Sequence, residues 1–266
     1  MKLKSILNVI LVSVLLFSSS QIVLKMIDYK KSEKLYEDIQ SIVQETEDMS
    51  NTMGDTSENS GDKDKNTQKK DNVRTYEKLV KINPEYKFWV EVENTNINYP
   101  VVQTSNNSFY LKKDFNKKYS NSGTIFMDTA NDFENDSNVV LYGHNMNNKT
   151  MFNNVALFKK KNFFNQNNKI KIKHTEDGKE YTYEVFSAYY TDNSFDYNTV
   201  KFNEHYTFMD FVKDIKAKSM YKKNIDINEN DKIITLSTCS YEFKGAKTTV
   251  HAKLIDVKDL NIENQN

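Results

Sequence analysis

The chain has one cysteine, Cys239, and one arginine, Arg74, among its 266 residues. A lone thiol cannot be half of an internal disulfide, so Cys239 is a buried filler, an intermolecular cross-link or a nucleophile. Outside Arg74 no guanidinium is available to any site. Net charge is missing too: 37 basic residues balance 37 acidic ones. That argues against a general nucleic-acid binder, which is ordinarily basic. No CxxC or HExxH pattern occurs. None of the four histidines has ligand spacing with Cys239, so neither a metal nor a cofactor is expected. There is no internal repeat.

What is present suffices for a core. Hydrophobic residues make up 38% and aromatics 12%, with 16 Tyr and 16 Phe, enough for about one soluble domain plus extra segments. Ile6 to Leu24 is an uncharged apolar run long enough to span a bilayer as a helix, although Asn8 and Ser18-Ser19-Ser20 interrupt it. Lys2 and Lys4 precede it, and Lys25, Lys30 and Lys31 follow it, so flanking charge does not set its orientation. The run is long for a signal peptide, and no small-x-small cleavage site follows. An uncleaved anchor is the expectation and a cleaved signal its rival. Either way the bulk of the chain is expected outside the cell, held by packing without a disulfide framework.

The expected organisation is an anchor or signal over 1–26, a juxtamembrane helix and flexible polar linker over 27–72, and a folded domain over 73–266. Leu35, Ile39, Ile42 and Val43 recur at helical spacing. The polar stretch from Thr46 to Asn72 reads as linker. A short helix from Thr75 should stop at Asn83-Pro84, because a residue before proline avoids helical angles. Eight strands are expected: 88–93, 97–103, 124–127, 139–142, 169–174, 181–190, 232–238 and 248–257. They are rich in Val, Ile, Thr, Tyr and Phe and are separated by Asn, Asp, Gly and Ser. Helices are expected over 151–160 and 204–219. The fold class is mainly β, a closed or nearly closed antiparallel barrel.

Ile233-Ile234-Thr235-Leu236-Ser237-Thr238 delivers Cys239 at the end of a strand, followed by the loop 240–247. The sulfur is therefore expected at a rim open to substrate, where a thiolate needs a nearby cation or base. Val139-Val140-Leu141-Tyr142-Gly143 delivers His144 in the same way, with Gly143 permitting a sharp turn. His174, His205 and His251 read as ordinary, the last lumen-facing or packed. Lys159-Lys160-Lys161 and Lys222-Lys223 read as solvated faces.

The stretches Thr235-Leu236-Ser237-Thr238-Cys239 and Tyr142-Gly143-His144-Asn145, 95 residues apart from histidine to cysteine, resemble the motifs of sortases, class B in detail. Ile97-Asn98-Tyr99-Pro100-Val101-Val102-Gln103, Gly123-Thr124-Ile125-Phe126-Met127-Asp128 and Thr249-Val250-His251-Ala252-Lys253-Leu254 agree. The resemblance runs from about Thr75 to Val257 and includes the N-terminal anchor. It implies an eight-stranded sortase-type β-barrel with N-terminal helices and a helix inserted between two late strands. It also implies a thiol transpeptidase of the Gram-positive cell surface, single-pass in the membrane, with its catalytic domain extracellular.

Such an enzyme cuts a C-terminal sorting signal after threonine and passes the acyl group to a peptidoglycan amine, with no cofactor. On the resemblance Cys239 is the nucleophile and His144 the acid and base. Lys247 stands where the family has arginine, and a lysine supplies charge without bidentate geometry. A sortase-fold protein that binds sorting signals or partners with weak or lost catalysis is therefore the alternative. A papain-like hydrolase is disfavoured by the order of histidine and cysteine. Asn107 matches a position that contacts the sorting signal. Ser237 and Tyr142, each two residues before a catalytic candidate, are the remaining substrate-binding candidates, and Tyr189-Tyr190 is set against the groove or the core.

Overall fold

The computed structural model describes residues 2–53, 64–166, 168–192 and 194–258. The helix α1, Lys2–Met53, runs without a break from the apolar segment into the domain. It is long and apolar enough near its N-terminus to cross a membrane. Beyond that segment Tyr36, Ile39 and Val43 are buried on the barrel, so a helical stripe that the sequence shows beside the anchor is part of the core. The second helix, α2, spans Asp64–Ile82 and begins well before Thr75. Lysine and glutamine in its first half are good helix formers. The centre of the expected linker, 54–63, lies outside the described residues.

All eight expected strands form: β1 Tyr86–Val92, β2 Asn98–Val102, β3 Ile125–Met127, β4 Asn138–Tyr142, β5 Lys169–Lys173, β6 Glu180–Thr191, β7 Ile233–Cys239 and β8 Lys247–Lys258. They close into a barrel in the order β1-β2-β3-β4-β7-β8-β6-β5. The strand pattern predicts an antiparallel barrel, and the barrel departs from that expectation. The pairs β2/β3 and β4/β7 are parallel. Each parallel pair is joined by a long crossover, which parallel strands require and hairpins cannot supply. The crossover from β4 to β7 contains a 3-10 helix, Phe152–Lys159, the short helix α3, Lys161–Phe164, the strands β5 and β6, and the helix α4, Phe208–Lys218.

Two apolar layers result. Inside the barrel lie Val90, Val101, Ile125, Leu141, Leu236 and Val250. Outside it, α4 covers a second cluster of Phe186, Tyr189, Tyr197, Phe211, Ile215 and Ile233. Phe208, Phe211, Val212 and Ile215 form the buried face of α4. Its N-terminus is fixed by a reciprocal pair: Thr207 accepts from the Asp210 N–H while the Asp210 carboxylate accepts from the Thr207 N–H. Such a capping box contributes about 1 kcal/mol. Alternation along β7 therefore sends Ile234 and Leu236 into the barrel and Ile233, Thr235 and Ser237 outward beneath this layer.

Candidate active site

The parallel pairing of β4 with β7 builds the site. Its register runs Asn138 with Ile233 to Tyr142 with Ser237, so the two strands finish side by side. The chain just beyond is held in step: the Gly143 N–H donates to the Ser237 carbonyl at 3.2 Å, and the Thr238 hydroxyl donates to the Gly143 carbonyl at 2.7 Å. His144 follows Gly143 on one strand, and Cys239 ends the other. Neighbouring strands lie about 4.8 Å apart, so imidazole and thiol emerge at one rim.

Gly143 is there for space and not for a turn, since its φ is not positive. A Cβ on it would come within 2.4 Å of Ile125 Cδ1 and 2.7 Å of the Phe152 ring. Asn145, the last residue of the histidine motif, donates from Nδ2 to the Cys239 carbonyl at 2.9 Å and accepts from Asn153 at 2.7 Å. It ties the histidine loop to the backbone of the cysteine.

Cys239 is exposed. Antiparallel pairing with β8 sets Lys247 opposite it, and Lys247 Nζ donates to Cys239 Sγ at 3.3 Å. That contact places an ammonium directly beside the sulfur. His144 is half-buried, with Nε2 2.7 Å from the Leu111 carbonyl oxygen. Burial pulls its pKa below the ordinary value, the Leu111 carbonyl opposes that, and the Lys112 and Lys247 ammonium groups add to it. Gly123 lies against the same ring; a Cβ there would stand 3.3 Å from His144 Cδ2 and 2.5 Å from the Tyr110 carbonyl, and its φ is +62°.

The remaining candidates gather below the rim around an acid that sequence reading left without a role. Asp128 Oδ2 accepts from Asn107 Nδ2 at 3.0 Å and from the Tyr142 hydroxyl at 2.8 Å. Asn198 donates to the same hydroxyl at 3.0 Å. Tyr142 has its pKa raised, mainly by burial, against the Asn198 bond and with the help of Asp128. Asn107 also accepts from the Thr129 N–H at 2.8 Å, which pins its amide orientation. Ser237 shares the outward face with Cys239 but is buried, and its hydroxyl donates to Tyr197 at 3.1 Å. It is less open than a direct substrate contact requires, because the Tyr197 segment covers it.

Gly123 and Asp128 stand in a matching stretch without a role read for them, and Leu111, Tyr197 and Asn198 have no role in the motifs, because the contacts of all five are made across loops. Tyr189 is core, stacked on His251, while its neighbour Tyr190 is exposed and meets Phe243 edge-on. His251 lies outside the barrel beneath α4 and not in a lumen. Lys159 and Lys223 are not solvated: Lys159 pairs with Glu242 and donates to Ser240, and Lys223 pairs with Glu184 at 2.9 Å. The Lys159 pair fixes the loop that follows the cysteine, and with Ser240 it holds the Glu242 carboxyl down to about 2 against the cost of burial.

A family model of the sortase domain matches residues 90–255. Sortase B of Staphylococcus aureus is 34% identical over 187 residues, covering 68% of this chain and 75% of that one. The crystal structure of Clostridium perfringens sortase B superposes with a TM-score of 0.64 at 44% identity, over 68% of this chain and 99% of that one. A Staphylococcus aureus sortase B–substrate complex superposes at 0.71 with 29% identity, over 86% of this chain and 98% of that one. A closed eight-stranded barrel, an exposed thiol and an imidazole at the ends of two parallel strands, and these likenesses agree: the chain belongs to the sortase family, class B, a family of cysteine transpeptidases.

Proposed function

We propose that this chain, anchored by its N-terminal helix with the catalytic domain outside the cell, cleaves a C-terminal sorting signal after threonine and joins the surface protein to a peptidoglycan amine. Residues 1–26 are the anchor, 27–72 the connection and 73–266 the catalytic domain. The observation that carries the reading is the Cys239 sulfur, exposed at the barrel rim with Lys247 Nζ at 3.3 Å and His144 at the end of the adjoining parallel strand.

Cys239 as thiolate attacks the threonine carbonyl carbon. Lys247 stabilises charge first on the sulfur and then on the oxyanion that forms beside it. The C–N bond breaks, and His144 as imidazolium gives its proton to the departing amine. A thioester on Cys239 remains. The incoming amine loses a proton to the now neutral His144, attacks the thioester carbonyl and releases the thiolate. A thioester is reactive enough for an amine to capture it without ATP. Asn107 and Tyr142, held by Asp128, form the wall that orients the signal, and Ser237 supports it through Tyr197.

Lysine at 247 sustains a second reading, binding of sorting signals with little turnover. Incubation with peptides of the form x-Pro-x-Thr-x and a primary amine separates the two. The first reading expects a product in which the threonine carbonyl is joined to the amine. Peptide binding by calorimetry without that product establishes the second.

A further inference from the structure

The helix α1 joins the apolar segment directly to the catalytic end of the barrel, and its contacts fix the height of that end. The apolar run ends at Leu24. Asp28 lies four residues further on, about 6 Å along a helix. Its Oδ2 accepts from both the N–H of Asn121, at 3.2 Å, and the side chain of Asn121, at 2.9 Å. Two helical turns later the buried Tyr36 hydroxyl donates to the Gly123 carbonyl at 2.8 Å, and Gly123 lies against the ring of His144. The polar headgroup layer is itself about 5–7 Å deep on each side of the hydrocarbon. An unbroken helix therefore sets Asn121 at headgroup depth, with His144 just behind it.

The side chains exposed there have the chemistry of that layer. Tyr119 is 62% exposed, and its hydroxyl donates to Asn121 Oδ1 at 3.0 Å. An exposed tyrosine with an apolar body and an anchored polar tip suits a bilayer interface. Lys112 and Lys118 in the same loop are exposed, as are Lys25, Lys30, Lys31 and Lys34 on α1. Of the acids nearby, Asp28 holds Asn121 and buried Asp114 accepts from the Lys118 N–H at 2.8 Å, while Glu33 and Glu37 are exposed on α1, where the lysines outnumber them. Lys117 is excluded from the basic set because it pairs with Glu85 at 3.1 Å.

We infer that the loop 112–122 and the adjoining lysines of α1 form a surface that seats on anionic lipid headgroups and holds the catalytic mouth against the membrane. The inference rests on the anchor reading and extends it: a tether alone allows any orientation, whereas this surface selects one. The site then meets substrates that are themselves membrane-bound without a long reach.

The test uses the full chain in lipid vesicles, with Cys239→Ala and a single fluorescent label at Asn116→Cys in the loop, Leu15→Cys in the apolar run or Glu134→Cys at the far end of the barrel. Lipids bear quenchers at the headgroup or deep in the chains. With one third anionic lipid, headgroup quenching at 116 should exceed that at 134 by about threefold or more, and the excess should fall by about half or more in zwitterionic lipid and in Lys30→Glu/Lys31→Glu/Lys118→Glu. Deep quenching at 15 with equal quenching at 116 and 134 leaves the anchor standing and overturns the seating. No quenching at 15 or 116 overturns both. Undiminished quenching at 116 in zwitterionic lipid overturns anionic lipid as the partner.

Discussion

Two regions of this molecule each hold a histidine whose charged form is disfavoured by burial, and they use it differently. At the rim, His144 is half-buried, bonded to a backbone carbonyl and acted on by the Lys112 and Lys247 ammonium groups. Beneath α4, His251 is wholly buried; Nδ1 meets the Thr235 hydroxyl at 2.8 Å and Nε2 the Tyr189 hydroxyl at 2.9 Å. Thr235 in turn donates to Asn138 at 2.8 Å. Burial pulls the pKa of His251 down to about 3. Both lie on or beside the same strand pair, one residue type serving an open end and a closed face. The open end leaves groups free to react; the closed face pairs both ring nitrogens of its histidine and so fixes the strands that present the others.

Exchanging groups between these roles should show the division, and the largest effect belongs to the rim. Cys239→Ala is expected to abolish peptide cleavage and amine transfer, and His144→Ala to lower kcat/KM by about a thousandfold. Neither should move the thermal midpoint appreciably, since both side chains are at the edge of the packing. A large fall in Tm with either would erase the distinction between the regions. Next comes Lys247. Lys247→Met is expected to cut kcat/KM by about a hundredfold, as a lost oxyanion donor does, whereas Lys247→Arg retains or raises activity.

The closed face should answer in stability and not in rate. His251 binds a proton in the unfolded chain near pH 6.5 but in the folded chain only near 3. Its contribution is complete above pH 6.5 and is lost as pH falls toward 3, at most roughly 4–5 kcal/mol across that window. Denaturant melts from pH 7 to 4 should show the decline, and His251→Gln should flatten it while leaving activity per folded molecule unchanged. The smallest effect is electrostatic. Because Lys247 lowers the pKa of His144, Lys247→Met should raise the titration midpoint of the His144 ring measured by NMR. No change would separate the ammonium from the imidazole.

Much of the rim was legible because motif and strand end coincide there. Ile233 to Thr238 reads as a strand delivering Cys239, Val139 to Tyr142 as one delivering His144, and both strands form. Which strands are neighbours, and in which direction, was not legible. Parallel pairing of β4 with β7 depends on a long crossover whose path no local pattern encodes. Gly143 was expected to turn and instead makes room for Phe152, a contact between loops. Ser237 shows the limit of alternation: period two gives the face but not the Tyr197 segment that covers it. Lys159 and Lys223 read as solvated because a run of lysines carries no mark of its partners, Glu242 and Glu184, which come from distant segments.

The most direct test of the rim as a reacting unit is the intact mass of the protein after brief incubation with a sorting peptide and no amine. A thioester adduct on Cys239 is predicted, present in the wild type, absent in Cys239→Ala, slow to appear in His144→Ala and discharged when amine is added. An adduct on any other residue, or one that forms at the wild-type rate without His144, would contradict the account.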